Sequence, residues 1–285
     1  MEKICDLHTH SNYSDGTLSP TELVAAAERA GLSAIVLCDH NTVLGLPEFM
    51  AAGQGSSVIT VPGVEFSTDY LDVELHILGL FIQPEHYDAI TAMTDRMHRL
   101  KEQSNIDLVE GLRRAGYELD YERIKAGTPT GQVNRALIGA ELTRLGYTAS
   151  IKEAFATLLK PKHGYYHPPK RLDAFETIAF IRSIGAVPVL AHPFLNLKTE
   201  EALRPFLEKA VDVGLQAMET RYPLFDQEQT ALAAALAEEF GLLESGGSDF
   251  HGANKPDIRL GVGRGELSVP HRLLTAMGRK AGFCV

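Results

Sequence analysis

Short apolar runs that end in histidine or a carboxylate recur along this chain, and they limit its fold more than any other feature. The first run, at residues 2–8, leads into His8 and His10. Residues 33–38 (SAIVLC) lead into Asp39 and His40, and residues 57–62 (SVITVP) are followed closely by Glu65. A third β-branched run at 73–82 carries His76, residues 186–191 (AVPVLA) lead into His192, and a short run at 242–245 precedes Asp249 and His251. Such runs read as strands buried on both faces. Between them lie stretches of helical character: residues 20–31 behind Ser19 as N-cap, with Leu23, Ala26, Ala27 and Ala30 on one face, then 172–184, 199–213 and 227–240. One further strand is expected at 216–220. Strands alternating with helices predict a parallel sheet, open or closed into a barrel.

In a parallel β/α architecture the C-terminal strand ends share one face, so the residues that follow the apolar runs can converge there. His8 and His10 are separated by one residue and project to the same side of an extended chain. Asp15 follows in the SNYSDG loop. Imidazole and carboxylate donors without thiolate suit a catalytic zinc, manganese or iron site. The nine donors His8, His10, Asp15, His40, Glu65, His76, His192, Asp249 and His251 exceed the needs of one ion. They suffice for two or three, with a carboxylate such as Glu65 bridging. Asp39, beside His40, reads as a partner that orients a ligand imidazole. Gly246 and Gly247 permit a close backbone approach at the same place. The three cysteines, Cys5, Cys38 and Cys284, have no zinc-site spacing and read as free thiols, the first two as small core residues.

With 27 Lys and Arg against 37 Asp and Glu, the chain carries −10. This argues against a protein that tracks a long nucleic acid or binds an anionic membrane. Divalent ions held by Asp15, Glu65 and Asp249 would reverse the sign locally and allow a phosphate to approach. The N-terminal residues lack the apolar stretch of a secretory signal, so a cytoplasmic protein is expected. From about residue 84 to 112 the pattern changes to one long helical stretch. A Gly- and charge-rich segment follows, with two more helices at 134–145 and 150–159. The organisation expected is 1–97 and 171–285 for the β/α part, with 98–170 as a small helical insertion.

DLHTHSNYSDG, CDHNTV, GVEFS, ELHILG, AHP and GGSDFHG resemble, in order, the motifs of the polymerase and histidinol phosphatase (PHP) superfamily of metal-dependent phosphoesterases. The resemblance covers residues 4–80 and 186–252. It implies a distorted (β/α)₇ TIM-like barrel with a trinuclear metal centre of manganese, zinc or iron. By that resemblance His8, His10, Glu65 and Asp249 hold one ion, Glu65, His76 and His192 a second, and Asp15, His40 and His251 a third. Asp15 stands where the family often has histidine. The implied reaction is hydrolysis of a phosphomonoester by metal-activated water, with no covalent nucleophile.

The insertion resembles the small helical insertion of PHP phosphatases that act on nucleotides, including 3′,5′-nucleoside bisphosphates and short oligoribonucleotides, and is expected to set specificity. Arg135 stands at the family's phosphate-binding Arg, whereas Leu137 replaces its usual His. His167, Arg221, Tyr222 and Lys255 are further expected substrate contacts, with Lys170 and Arg171 open. Histidinol phosphatase and 5′–3′ exonuclease on short RNA are the alternative activities. A metal-dependent binding module without activity is the non-enzymatic one. No obligate protein partner is evident.

Overall fold

A computed structural model describes residues 2–128, 131 and 133–283, so Cys284 and residues 129, 130 and 132 lie outside the described residues. The chain divides into two compact units, one built from residues 1–91 and 172–285 and the other from 92–171.

The first unit is a β/α barrel. Its strands are β1 (Ile4–Thr9), β2 (Ala34–Leu37), β3 (Ile59–Tyr70), β4 (Val73–Leu80), β5 (Leu172–Asp173), β6 (Val187–Leu190), β7 (Ala217–Arg221), β8 (Leu243–Gly246) and β9 (Val269–Pro270). The spatial order is β8-β7-β6-β4-β3-β2-β1-β9, with β5 beside β3. A parallel bridge from Thr9 to Phe250, just past the ends of β1 and β8, closes the barrel. Buried Asp6 on β1 fixes the closure: it accepts hydrogen bonds from the Ser248 amide (2.8 Å), the Ser248 hydroxyl (2.5 Å) and the Gly261 amide (2.8 Å). Gly247 is required beside it, because a Cβ there would lie 2.4 Å from the His8 Cβ.

The sheet is mixed, where the alternation of elements predicts a parallel one. β4 runs antiparallel to both β3 and β6. The cause is local: only Leu71 and Asp72 separate β3 from β4, and both have positive φ (51° and 64°). A two-residue turn with that backbone can join only antiparallel strands. Neither residue is a glycine or asparagine, so the usual hairpin signal is missing from the sequence.

The helices of this unit are α1 (Pro20–Arg29), α2 (Leu46–Gly53), the start of α3 (Tyr87–Arg114), then α7 (Ala174–Ser183), α8 (Glu200–Asp212), α9 (Gln227–Glu239) and α10 (His271–Ala281). Ser19 and Glu22 form a reciprocal capping box at α1, a device that contributes about 1 kcal/mol. One apolar cluster draws Cys5, Leu7, Val36, Val61, Leu78, Val189 and Ala217 from six strands and Leu273, Leu274 and Met277 from α10. A cluster fed from so many sides of a closed sheet fills its interior, which leaves the strand ends for polar groups.

The second unit holds the remainder of α3 with α4 (Tyr121–Ala126), α5 (Arg135–Arg144) and α6 (Ile151–Thr157). Its own core joins Leu108, Val109, Leu112, Ile138, Leu142, Leu159 and Tyr166. Asn105 ties α3 to Val133 by a 2.8 Å hydrogen bond, and the Ser104 hydroxyl donates to the His167 carbonyl.

Candidate metal centre

Six of the chain's eleven histidines and three carboxylates meet on the face of the barrel formed by the C-terminal ends of its parallel strands, with His76 reaching it from the first half of antiparallel β4. β1 supplies His8 and the residue just beyond its end supplies His10. His40 follows β2 and is bridged to Glu65 on β3. His76 projects from β4, His192 follows β6, and Asp249 and His251 follow β8. His8, His10, Glu65, His192, Asp249 and His251 are buried, whereas Asp15 is partly open to solvent.

The donor atoms gather in groups. His8 Nε2 and His10 Nε2 lie 3.1 Å apart, and each is 3.2 Å from Glu65 Oε2. Asp249 Oδ1 lies 3.8 Å from the first and 3.3 Å from the second. The other oxygen of Glu65, Oε1, lies 2.7 Å from His76 Nδ1 and 3.1 Å from His192 Nε2. Asp15 gathers the remainder: His251 Nε2 at 3.2 Å, with His10 Nδ1 and His40 Nε2 each at 3.9 Å. Glu65 therefore turns one oxygen to each of two histidine groups, the placement a bridging carboxylate needs.

The donor set fits divalent ions on three counts. Ligands about 2.0–2.1 Å from a tetrahedral ion are separated by about 3.3–3.4 Å, close to the spacings among His8, His10 and Glu65 and between His10 and Asp249. His10 Nδ1, His40 Nδ1 and Glu65 Oε2 are buried yet lack hydrogen-bond partners, a costly arrangement unless something positive satisfies them. The donors are imidazole nitrogens and carboxylate oxygens throughout.

Electrostatics point the same way. Burial opposes a carboxylate at Glu65, but His40, His76 and His8 hold its carboxyl well below the usual range. Asp249 is likewise depressed against its own burial by His10, His8 and Lys255. Burial also opposes charging of the imidazoles. The nearby carboxylates of Asp249 and Glu65 nevertheless raise His10 to about 9, and those of Glu65 and Glu74 raise His76 to about 10. His40 goes the other way, to about 3, because burial outweighs Glu65 and Asp15 while His10 and His76 repel its charge. The cluster thus holds protons on some imidazoles where metal cations would sit.

One group beside the donors, Glu219, was not legible as functional in the sequence. Glu219 on β7 is buried; its Oε1 lies 3.0 Å from His8 Nδ1 and its Oε2 accepts from the His192 amide at 2.7 Å. The only signal was an acid within the apolar strand AMETR. Asp39 does not orient an imidazole as expected: its carboxylate accepts from the Ser11 amide and the hydroxyls of Ser11 and Ser14, fixing the loop that carries Asp15. His192 and Asp249 both adopt positive φ (30° and 54°), a strained backbone maintained at the strand ends.

Tyr222 and Lys255 are at the centre. The Tyr222 hydroxyl and the Lys255 ammonium both donate to Asp249 Oδ2, at 2.8 and 2.6 Å, leaving Oδ1 turned to the histidines. Both line a cleft of about 330 Å³ whose floor includes His40, Glu65, His76, His192 and Asp249 and whose wall includes Leu195 and Leu224. Arg221 does not line it; its guanidinium reaches the Ser268 carbonyl at 3.5 Å. Arg135, in the helical unit, lies over the rings of Tyr166 (4.2 Å) and Phe155 (5.5 Å). His167 is exposed in the same unit.

The model of the PHP domain matches residues 6–165. A 5′–3′ exoribonuclease of Haemophilus influenzae is 32% identical over 251 residues, 88% of this chain and 91% of the relative. A 3′,5′-nucleoside bisphosphate phosphatase of Chromobacterium violaceum is 28% identical over 86% of each chain. A Bifidobacterium adolescentis crystal structure described as a metal-dependent phosphoesterase superposes with a TM-score of 0.83 at 26% identity, covering 98% of this chain and 96% of the other.

Proposed function

This chain belongs to the PHP domain family, and on that premise we propose that its buried cluster hydrolyses phosphate esters of nucleotides with the help of two or three divalent ions, manganese, zinc or iron. The observation that carries the reading is Glu65, one carboxylate offering an oxygen to each of two histidine groups. Divalent ions at such a cluster supply Lewis acidity, lowering the pKa of water and drawing the phosphoryl oxygens.

The chain's own residues supply the rest. Nine residues serve as the ligands: His8, His10, Asp15, His40, Glu65, His76, His192, Asp249 and His251. Glu219 accepts the Nδ1 proton of His8, which leaves the Nε2 lone pair directed at the cluster. Tyr222 and Lys255 hold Asp249 by one oxygen, and Lys255 keeps a cation at the cleft for a substrate phosphate. The cleft is near the lower end of ligand-pocket volumes and suits a single nucleotide unit against its apolar wall. The helical unit, 98–170 by sequence, sets specificity, with Arg135 and His167 as substrate contacts. Cys5 and Cys38 are free, and burial pushes both thiols upward into an unreactive state that suits the reducing cytoplasm. Among the described residues no helix is long and apolar enough to cross a membrane.

The test is phosphate release, with Mn²⁺ added, from 3′-phosphoadenosine 5′-phosphate, AMP, histidinol phosphate and short 5′-phosphorylated RNA. Chelator-sensitive release greatest for the nucleotides is expected. Its absence from all four substrates would refute the enzyme reading. The Haemophilus relative's activity favours a second reading, 5′–3′ exonuclease action on short RNA. Sequential release of mononucleotides from the RNA would identify it.

A further inference from the structure

The two buried carboxylates of the barrel's cluster each divide their oxygens between different partners. Glu65 turns Oε1 to His76 and His192 and Oε2 to His8 and His10. Asp249 turns Oδ1 to His10 Nε2 at 3.3 Å and His251 Nδ1 at 3.4 Å, while its Oδ2 accepts from Tyr222 and Lys255. Both donors to Oδ2 are held in place by the barrel unit itself. The buried Tyr222 ring packs on His192 and Phe225, each 5.3 Å away between centroids, and Phe225 packs in turn on Phe194. Lys255 ends the short helical turn Gly252–Asn254; its amide donates to the Gly252 carbonyl at 3.2 Å, and its carbonyl accepts from the Ile258 amide at 3.0 Å. Asp249 is anchored at its root, since its amide donates to the His8 carbonyl at 2.9 Å.

We propose that Tyr222 and Lys255 are positioning residues that set metal selectivity: by occupying Asp249 Oδ2 they confine this carboxylate to one oxygen for an ion and thereby exclude Ca²⁺, an inference that rests on the metal reading above. Around His8 and His10 an ion then finds two carboxylate oxygens, Glu65 Oε2 and Asp249 Oδ1, beside two imidazole nitrogens. Calcium takes about six to eight oxygen ligands and often both oxygens of one carboxylate. Zinc takes imidazole readily and is satisfied by about four or five ligands. Releasing Oδ2 would add a third oxygen, which benefits calcium more than zinc. The Lys255 charge repels every divalent ion alike, so it cancels when two ions are compared.

The experiment titrates protein freed of metal by a chelator with Co²⁺, a coloured stand-in for Zn²⁺, and then displaces the Co²⁺ with Ca²⁺. It compares wild type with Tyr222→Phe, Lys255→Met, the double variant and Lys255→Arg. In wild type, Ca²⁺ should bind at least about 100-fold more weakly than Co²⁺, as imidazole donors dictate. The double variant should narrow that ratio about tenfold, with each single variant falling between. Its visible absorbance per bound Co²⁺ should also fall, because a larger ligand shell weakens the cobalt bands. Lys255→Arg should keep the wild-type ratio. Tyr222→Phe keeps the ring in its aromatic row, and the Lys255 side chain is 38% exposed, so neither single change disturbs the core. A site that is merely loosened would weaken both ions together, and an unchanged Ca²⁺ to Co²⁺ ratio in the variants overturns the proposal. So does a variant cobalt spectrum identical to that of wild type. Wild-type protein that binds no Co²⁺ would instead bring down the metal reading itself.

Discussion

The two units of this chain treat charge in opposite ways. In the barrel, His8, His10, Glu65 and Asp249 are withdrawn from water, and both carboxylates lie within 4 Å of both imidazoles. In the helical unit, Lys160, Lys162 and Lys170 stand in solvent. Buried donors with unmet bonding capacity must be matched at short range, and they specify an ion by geometry. Exposed lysines act through screened attraction and specify only the sign and spacing of a partner. The difference teaches that the chain's net charge, −10 overall, describes neither place.

The strongest way to break the contrast is to remove a buried donor. His8→Ala or Asp249→Asn should reduce kcat/KM by about 10³-fold or more, since a metal centre contributes several kcal/mol to the transition state. Circular dichroism should show the fold retained, because the donors stand at strand ends outside the apolar cluster. Wild-type turnover at saturating metal would sink the assignment. Next in size is Glu219→Gln, which leaves the ligand set intact but weakens the acceptor for His8 Nδ1. Metal affinity by titration should fall about 10–100-fold.

The pH dependence of stability sharpens the contrast further. Without metal, His10 (about 9) and His76 (about 10) bind protons more tightly folded than unfolded. Their contribution is complete below the unfolded value of about 6.5 and is lost as pH rises through 9–10. His40, held near 3, acts in the opposite direction: its contribution is lost as pH falls from about 6.5 toward 3. Chelator-treated protein should therefore melt at progressively lower temperature above pH 7. Protein with metal at 100 times its pH 8 Kd should gain about 2.7 kcal/mol at pH 8, and the same metal concentration should give a smaller Tm rise at pH 6, where metal must displace more protons. Equal Tm rises at the two pH values would count against proton displacement. The smallest effect is expected for Arg135→Ala, where loss of the stack on Tyr166 and Phe155 should lower stability by about 0.5–1 kcal/mol. A lowered Tm alone is the mark of packing, and a raised KM with it the mark of a phosphate contact.

Much of the barrel was legible because its information is local. Apolar runs of strand length alternate with capped helices, and the rule that strand ends share a face was enough to gather His8, His40, Glu65, His192 and Asp249 in advance. What escaped depends on contacts between distant residues. Leu71 and Asp72 make the turn that reverses β4 without any of the usual turn residues. Glu219 acquires its role only because β7 brings it against His8, 211 positions away. Asp39 stands next to His40 in sequence yet bonds to Ser11 and Ser14. α10 was missed although Leu273, Leu274 and Met277 have helical spacing, since nothing before that segment suggested a helix inside the apolar cluster. Lys255 offered a cation for phosphate, but the chain could not reveal that Asp249 already holds it.

The parallel bridge between Thr9 and Phe250 has a consequence for the chain as it is made. His8, His10, Asp15, His40, Glu65 and His76 emerge from the ribosome early, but His192, Asp249 and His251 follow only after the whole helical unit has been synthesised. At about 5–20 residues per second, that leaves the early donors without their last partners for roughly ten to thirty seconds. During this interval the early donors stand without His192, Asp249 and His251, so the complete donor set exists only once both parts of the barrel have been made.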